Sequence, residues 1–269
     1  GPSQEVIDVS FIFGTYNRWR MLYDCVKSVI KSAEVAKVSF EIVVADGGST
    51  DGTREYLHHR NKPFGTTNVV VVEGGTEGAV KAFNAAYRAS RGNYIVTLND
   101  DCLLGVDATR LCVSWLDTHK EIGQIAFGYT RGGSSRMIIE EIGTGHPYAN
   151  FGMIRREVAD AAAKLCGGFW APCYRTYGAD TELSCWVWRL GYEVQPITKP
   201  LVQDLQAEDA LRLNNHKLGR AEADGKLFWS RWGYNKSSPL PKLQPHGEYP
   251  NITEEELERL KAHEAETSK

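Results

Sequence analysis

Three short polar clusters carry residue types from which a ligand site can be built. They are Thr15-Tyr16-Asn17-Arg18, Asp46 with the turn Gly47–Thr53, and Asn99-Asp100-Asp101. Carboxylates are hard oxygen ligands of the kind that Mg2+ and Mn2+ prefer, with substrate phosphates completing the shell. Taken alone, the acidic tip Asn99–Asp101 has two readings, a metal and phosphate site or an ordinary solvated turn. Gly, Ser and Asp likewise make turns without binding anything, and Ser49 or Thr50 would serve as a helix cap. Position is what raises these clusters above composition, because each follows an apolar run.

Those runs define the elements. Val6–Phe13 is β-branched and aromatic and reads as a buried strand. A helical pattern follows through Trp19–Ala33, with Leu22, Val26, Val29 and Ile30 on one face. Strand patterns recur at Phe40–Asp46, Asn68–Gly74 and Asn93–Leu98, separated by helical stretches at Arg54–Arg60 and Glu77–Ser90. Strands that alternate with helices predict right-handed crossovers and an α/β fold with a Rossmann-like, mainly parallel sheet. Ligands of such sheets bind beyond the carboxyl ends of the strands, where all three clusters fall.

Composition excludes several classes. The chain has 269 residues and a formal net charge of -3, so general affinity for nucleic acid is not indicated. No apolar run approaches the roughly 20 residues of a membrane span, and the first residues lack the pattern of a signal peptide. Six scattered cysteines form no C-x-x-C pair; they read as reduced, small hydrophobes in a cytoplasmic setting. There is no G-x-x-x-x-G-K-[ST], and "GTYNR" rather than G-x-G-x-x-G follows the first strand, which disfavours P-loop and dinucleotide enzymes.

Four segments in order, "FIFGTYNR", "EIVVADGGSTDGT", "GAVKAFNAAYRASRGNYIVTLNDD" and "GADTELSCWVWRLGYEV", resemble the inverting glycosyltransferases of family two, which have the GT-A fold. The resemblance spans Val6 to Val202. It implies a nucleotide-diphosphate sugar donor, UDP-linked by preference, a hydroxyl-bearing acceptor and a divalent cation. Thr15, Tyr16 and Asn17 would then line the nucleotide pocket and Arg18 would face the diphosphate. Asp46 would accept a hydrogen bond from the base, which suits an acceptor-only group. Ser49 and Asp51 would shape the turn. Gly78, Lys81 and Asn84 would lie on the donor side, with Lys81 supplying charge where the family often has Arg and this chain has Phe83. As a solvated helix residue, Lys81 would be equally ordinary.

The resemblance also divides the acidic tip. Asp101 falls at the metal position, while Asn99 stands where the family has a carboxylate, with Asp100 between them. Asp204 falls where many relatives place a further ligand, in preference to His216; its plainer role would be a helix N-cap. The cation, Mn2+ or Mg2+, would act as a Lewis acid on the departing diphosphate. The family's Glu-Asp pair appears as Ala179-Asp180, which makes Asp180 the general base and Glu182 the reserve candidate, with Tyr177, Trp186 and Trp188 excluding water. Asp180 would equally serve as an N-cap.

The organisation expected is a nucleotide-sugar half over residues 4–130, an acceptor and catalytic half over 131–204, a C-terminal helical segment over 205–237, and a Pro-rich linker with a solvated peripheral helix over 238–269. Arg131–Gly152 reads as an acceptor-facing loop or hairpin in which His146 is not a ligand. Thr253-x-x-Glu256 is a capping-box pattern. The function expected is metal-dependent, inverting sugar transfer. The alternatives are a catalytically silent nucleotide-sugar-binding scaffold and, on the same fold, a sugar-phosphate nucleotidyltransferase.

Overall fold

The computed structural model describes residues 5–58, 69–73, 78–143, 145–206, 219–233, 243 and 253–267. The chain runs β1 (Val9–Thr15), α1 (Trp19–Ala36), β2 (Phe40–Asp46), α2 (Thr53–His58), β3 (Val69–Glu73), α3 (Ala79–Ala89) and β4 (Tyr94–Thr97). It continues through β5 (Cys102–Leu104), α4 (Ala108–Thr118), β6 (Ile122–Arg131), β7 (Glu140–Glu141), β8 (Pro147–Tyr148) and β9 (Gly152–Arg155). The last elements are α5 (Arg156–Cys166), α6 (Ala179–Arg189), β10 (Glu193–Asp204), α7 (Arg220–Trp232) and α8 (Glu254–Thr267).

Eight strands form one sheet in the order β3-β2-β1-β4-β9-β6-β10-β5. The first four are mutually parallel, as are β6 and β10, whereas β9 and β5 enter antiparallel. Phe11, Ile12 and Phe13 of β1 are fully buried, as expected of a parallel strand covered on both faces. β1 runs two residues further than its apolar pattern suggests, because the ladder to β2 continues to Thr15 opposite Asp46. β1 has β2 on one side and β4 on the other, so the order reverses there. The ends of β1 and β4 therefore flank the crevice such sheets leave for a ligand. The region 131–152 does contain a small hairpin, β7 paired with β8.

The C-terminal elements are not peripheral. Glu182 on α6 is fully buried, and its oxygens accept hydrogen bonds from Tyr174 Oη (2.8 Å), Arg231 Nε (2.6 Å), Arg231 Nη2 (3.1 Å), Trp186 Nε1 (3.3 Å) and Trp232 Nε1 (2.8 Å). Arg231 also pairs with Glu256 on α8 at 3.3 Å. The capping box forms, Thr253 N–H donating to Glu256 and Glu256 N–H to Thr253 Oγ1. The expectation of a solvated last helix is thus corrected: α8 lies against α5, with Leu260 buried. A charged helix packs here because a cation from α7 meets its Glu256. Leu243 in the Pro-rich stretch is also fully buried. Removing one partner of a buried, hydrogen-bonded ion pair costs about 3–5 kcal/mol. Glu182→Ala and Arg231→Ala should each destabilise by that order in denaturant unfolding, and the double variant should cost much less than the sum.

Candidate active site

The carboxyl end of β1 is locked to the tip of β4 through one carboxylate. Asp100 accepts from Thr15 Oγ1 at 2.9 Å and from Arg18 Nη1 at 2.9 Å. Burial pushes the Asp100 carboxyl up to about 6, against the opposing pull of Arg18. The first loop is locked to the second in the same way. Asn17 adopts a left-handed backbone (φ 52°), donates its N–H to Ser49 Oγ at 2.9 Å and accepts from Thr50 N–H at 2.7 Å. Asparagine is among the few residues that tolerate that conformation. Ser49 Oγ donates to Asp46 Oδ1 at 2.6 Å, while the other oxygen of this fully buried carboxylate has no protein donor among the described residues. Asp51, not Ser49 or Thr50, holds the start of α2, accepting from Thr53 N–H and Oγ1.

The second half of the site comes from the far side of the sheet. β5 pairs antiparallel with β10 so that Asp204 lies opposite Cys102. This brings Asp101, Cys102 and Asp204 together, with ligand atoms all within 4.8 Å. Asp204 also accepts from Gln206 N–H at 3.0 Å, and Arg131 Nε stands 3.7 Å from it. The short turn closed by Gln206 shows Asp204 ending a strand; the helix expected to start there falls outside the described residues, as does His216. Two carboxylates make a hard oxygen pair suited to Mn2+ or Mg2+. Burial, then the charges of Asp101 and Asp204, push the Cys102 thiol well up.

α6 begins after its N-cap Gly178, which has a left-handed backbone (φ 80°). Asp180 therefore sits inside the first turn rather than capping it. Burial pushes its carboxyl up to about 6, opposed by the Thr181 N–H at 2.8 Å. A cleft of about 730 Å³ takes its walls from Thr15, Tyr16, Arg18, Asn99 and Asp100, and equally from Asp180 and Asp204. Gly78 contributes at the start of α3. Asn17, Asp46 and Asp101 are not part of the wall itself, although Gly47 beside Asp46 is.

Several assignments made on sequence are corrected by this geometry. Glu182 is no reserve base, since it lies in the core and its oxygens are occupied. Trp186 turns to Glu182 and packs on Trp232, and Trp188 donates to Pro147 O, so of the three aromatic residues only Tyr177 lines the cleft. Asn84 is spent on structure: its amide donates to Trp170 O at 2.9 Å and accepts from Trp170 N–H at 2.8 Å. Lys81 and Asn84 border a separate, smaller depression. Phe83 stacks on Trp170 with ring centroids 4.0 Å apart, forming an aromatic patch of the cleft wall. The positive charge comes instead from Arg18, Arg131, Arg175 and Arg220. Of these only Arg18 belongs to a motif; the others are isolated in sequence and carry no periodic signal.

Residues 10–171 match the model of glycosyl transferase family 2. The chain belongs to glycosyl transferase family 2. Among curated members it is 28% identical over 117 residues to the poly(ribitol-phosphate) beta-glucosyltransferase of Bacillus spizizenii, covering 42% of this chain and 17% of that one. It is 26% identical over 114 residues to the abequosyltransferase RfbV of Salmonella typhimurium, covering 42% and 34%. The chain thus spans about a third or less of these relatives' length. Among solved structures, the mannosyltransferase PcManGT from Pyrobaculum calidifontis, in complex with GDP-Man and Mn2+, superposes with a TM-score of 0.63 at 18% identity, covering 89% of this chain and 69% of that one. Residues 1–349 of TarS from S. aureus, in complex with UDP-GlcNAc, give 0.58 at 15% identity, covering 76% and 60%. The fold of this family member is therefore GT-A.

In this glycosyl transferase family 2 chain, Asn84→Ala would leave the Trp170 backbone N–H and C=O unpaired in a buried position. The cost expected is about 2 kcal/mol or more. Denaturant unfolding without any ligand measures it.

Proposed function

We propose that the protein is a metal-dependent, inverting glycosyltransferase that moves a sugar from a nucleotide-diphosphate donor to an acceptor hydroxyl, with Asp180 as general base. The observation that carries this reading is a single cleft walled by Asp180, Asp204 and the Asp100 tip, with four arginines around it. Arginine is the side chain best matched to phosphate oxygens. The unpartnered oxygen of the buried Asp46, beside the cleft-lining Gly47, supports a role in accepting an N–H from the base, and UDP-sugars are the first donors to test.

In this mechanism the acceptor oxygen attacks the anomeric carbon as the bond from that carbon to the diphosphate oxygen breaks. The leaving electron pair departs with the diphosphate, and the acceptor proton passes to the Asp180 carboxylate. Attack from the face opposite the leaving group inverts the centre. Asp101 and Asp204 are the residues that would hold Mn2+ or Mg2+, which when bound supplies positive charge to the diphosphate. Thr15, Arg18 and Asp100 hold the first loop in place around the donor. A base whose proton affinity is raised toward neutrality accepts a proton more readily than an ordinary carboxylate.

Asp180→Asn should lower kcat by at least about a hundredfold while leaving donor binding intact. That outcome also separates a transferase from a silent nucleotide-sugar binder. The carboxyl must be ionised to act, so wild-type kcat/KM should be flat above about 6 and fall as pH drops through it, at saturating metal. A separate measurement addresses the cation: Asp101→Asn and Asp204→Asn should each raise the Mn2+ concentration for half-maximal activity by about tenfold or more, the scale of a lost charged contact.

A further inference from the structure

The loop between Trp170 and α6 is held from both sides at a single residue, Arg175. On one side, the Arg175 carbonyl accepts from Val80 N–H at 3.2 Å, at the start of α3. Gly78 makes this approach possible: a Cβ there would lie 2.6 Å from the Arg175 carbonyl oxygen, and its φ of 116° excludes other residues on backbone grounds as well. On the other side, the buried carboxylate of Asp224 on α7 accepts three consecutive backbone N–H groups. They are Arg175 at 3.2 Å, Thr176 at 2.9 Å and Tyr177 at 2.8 Å. Three charge-assisted bonds to successive amides fix the course of the chain there. The same helix supports the next turn, since Phe228 lies within van der Waals reach of a Cβ at Gly178.

The side chain is treated differently from the backbone. Arg175 lines the main cleft and also the smaller depression beside Lys81. Among the described residues, its guanidinium has no hydrogen-bond or ion-pair partner. By contrast Arg18 is joined to Asp100 and Arg131 stands beside Asp204. A guanidinium on a clamped backbone at the cleft wall, committed to no carboxylate among the described residues, can pair with a bidentate anion.

We propose that Arg175 binds a phosphoryl group in the cleft and that Asp224, reaching in from α7, is its positioning residue. The proposal rests on the glycosyltransferase reading, which places a diphosphate in this cleft. The phosphoryl group belongs either to the donor diphosphate or to a phosphate-bearing acceptor, and the two are separated by probe.

The test is titration of the full chain with UDP and GDP, with uridine and guanosine as controls, and with glycerol 3-phosphate, all in the presence of Mn2+. Arg175→Ala should weaken nucleoside diphosphate binding by about tenfold or more, and Arg175→Lys by less, because lysine keeps the charge and loses the fork. Nucleoside binding should not change. If diphosphate binding is unchanged but glycerol 3-phosphate binding is lost, the group belongs to the acceptor. If Arg175→Ala changes neither while the wild type binds nucleoside diphosphates, the assignment fails and the glycosyltransferase reading stands. If the wild type binds no nucleoside diphosphate, both fail. Asp224→Asn keeps the shape and weakens the clamp. It should reduce affinity in the wild-type background and cause no further loss in Arg175→Ala, as coupled residues do. An equal loss in both backgrounds would make Asp224 merely structural and overturn its role.

Discussion

Glu182 has no access to solvent, and a carboxylate in that position is tolerable only if donors replace the water it has lost. Tyr174, Trp186, Trp232 and Arg231 together supply five donor atoms. The consequence reaches well beyond one ion pair. Tyr174 belongs to the loop before α6, Trp186 to that helix, Arg231 and Trp232 to α7, and Arg231 in turn holds Glu256 of α8. Four pieces of chain are therefore fixed around one charge. With α7 pinned in this way, Asp224 one side of it is aimed at the Arg175–Tyr177 backbone and Phe228 at Gly178. The start of α6, where Asp180 sits, inherits its position from this arrangement.

The other half of the cleft is organised by strand ends rather than by a buried charge. β1 lies between β2 and β4, so three polar loops emerge side by side. The first loop is tied to both neighbours by short side-chain bonds, Thr15 and Arg18 to Asp100 and Asn17 to Ser49 and Thr50, and Ser49 braces Asp46 within its own loop. Hydrogen-bonded loops of this kind cost little to order when a ligand arrives, which favours binding through preorganisation. Asp204 joins them only because β5 folds back antiparallel on β10. The two-carboxylate pair with Asp101 is thus a product of sheet topology at the edge, between residues about a hundred positions apart in the chain.

Much of this was legible in the residues. The β-branched runs marked the first four strands, the apolar face of α1 appeared where Leu22, Val26 and Val29 are buried, and α3 fell within the stretch read as helical. The strand-end clusters were visible as polar breaks after apolar runs, and Thr253-x-x-Glu256 announced its capping box. Glu182 and Asn84 were misread for a common reason. Both are polar residues near motif positions, and polarity alone does not say whether a ligand or the protein's own backbone satisfies it. The charged face of α8 was misread because its counter-charge, Arg231, is far away in sequence.

The sequence by itself determined the α/β alternation, the family motifs and the local turns, because strand and helix periodicity, Gly and Asx turns, and capping are short-range effects. Only the tertiary structure decided which carboxylates face the cleft and which are consumed in the core. Asp180 and Glu182 are two residues apart on one helix, yet one lines the cleft and the other lies buried among donors. Two residues along a helix turn the side chain by about 200°, so each meets a different neighbourhood. What those neighbourhoods contain, an open cleft on one side and Arg231 with two tryptophans on the other, is set by contacts between distant segments that no local pattern encodes.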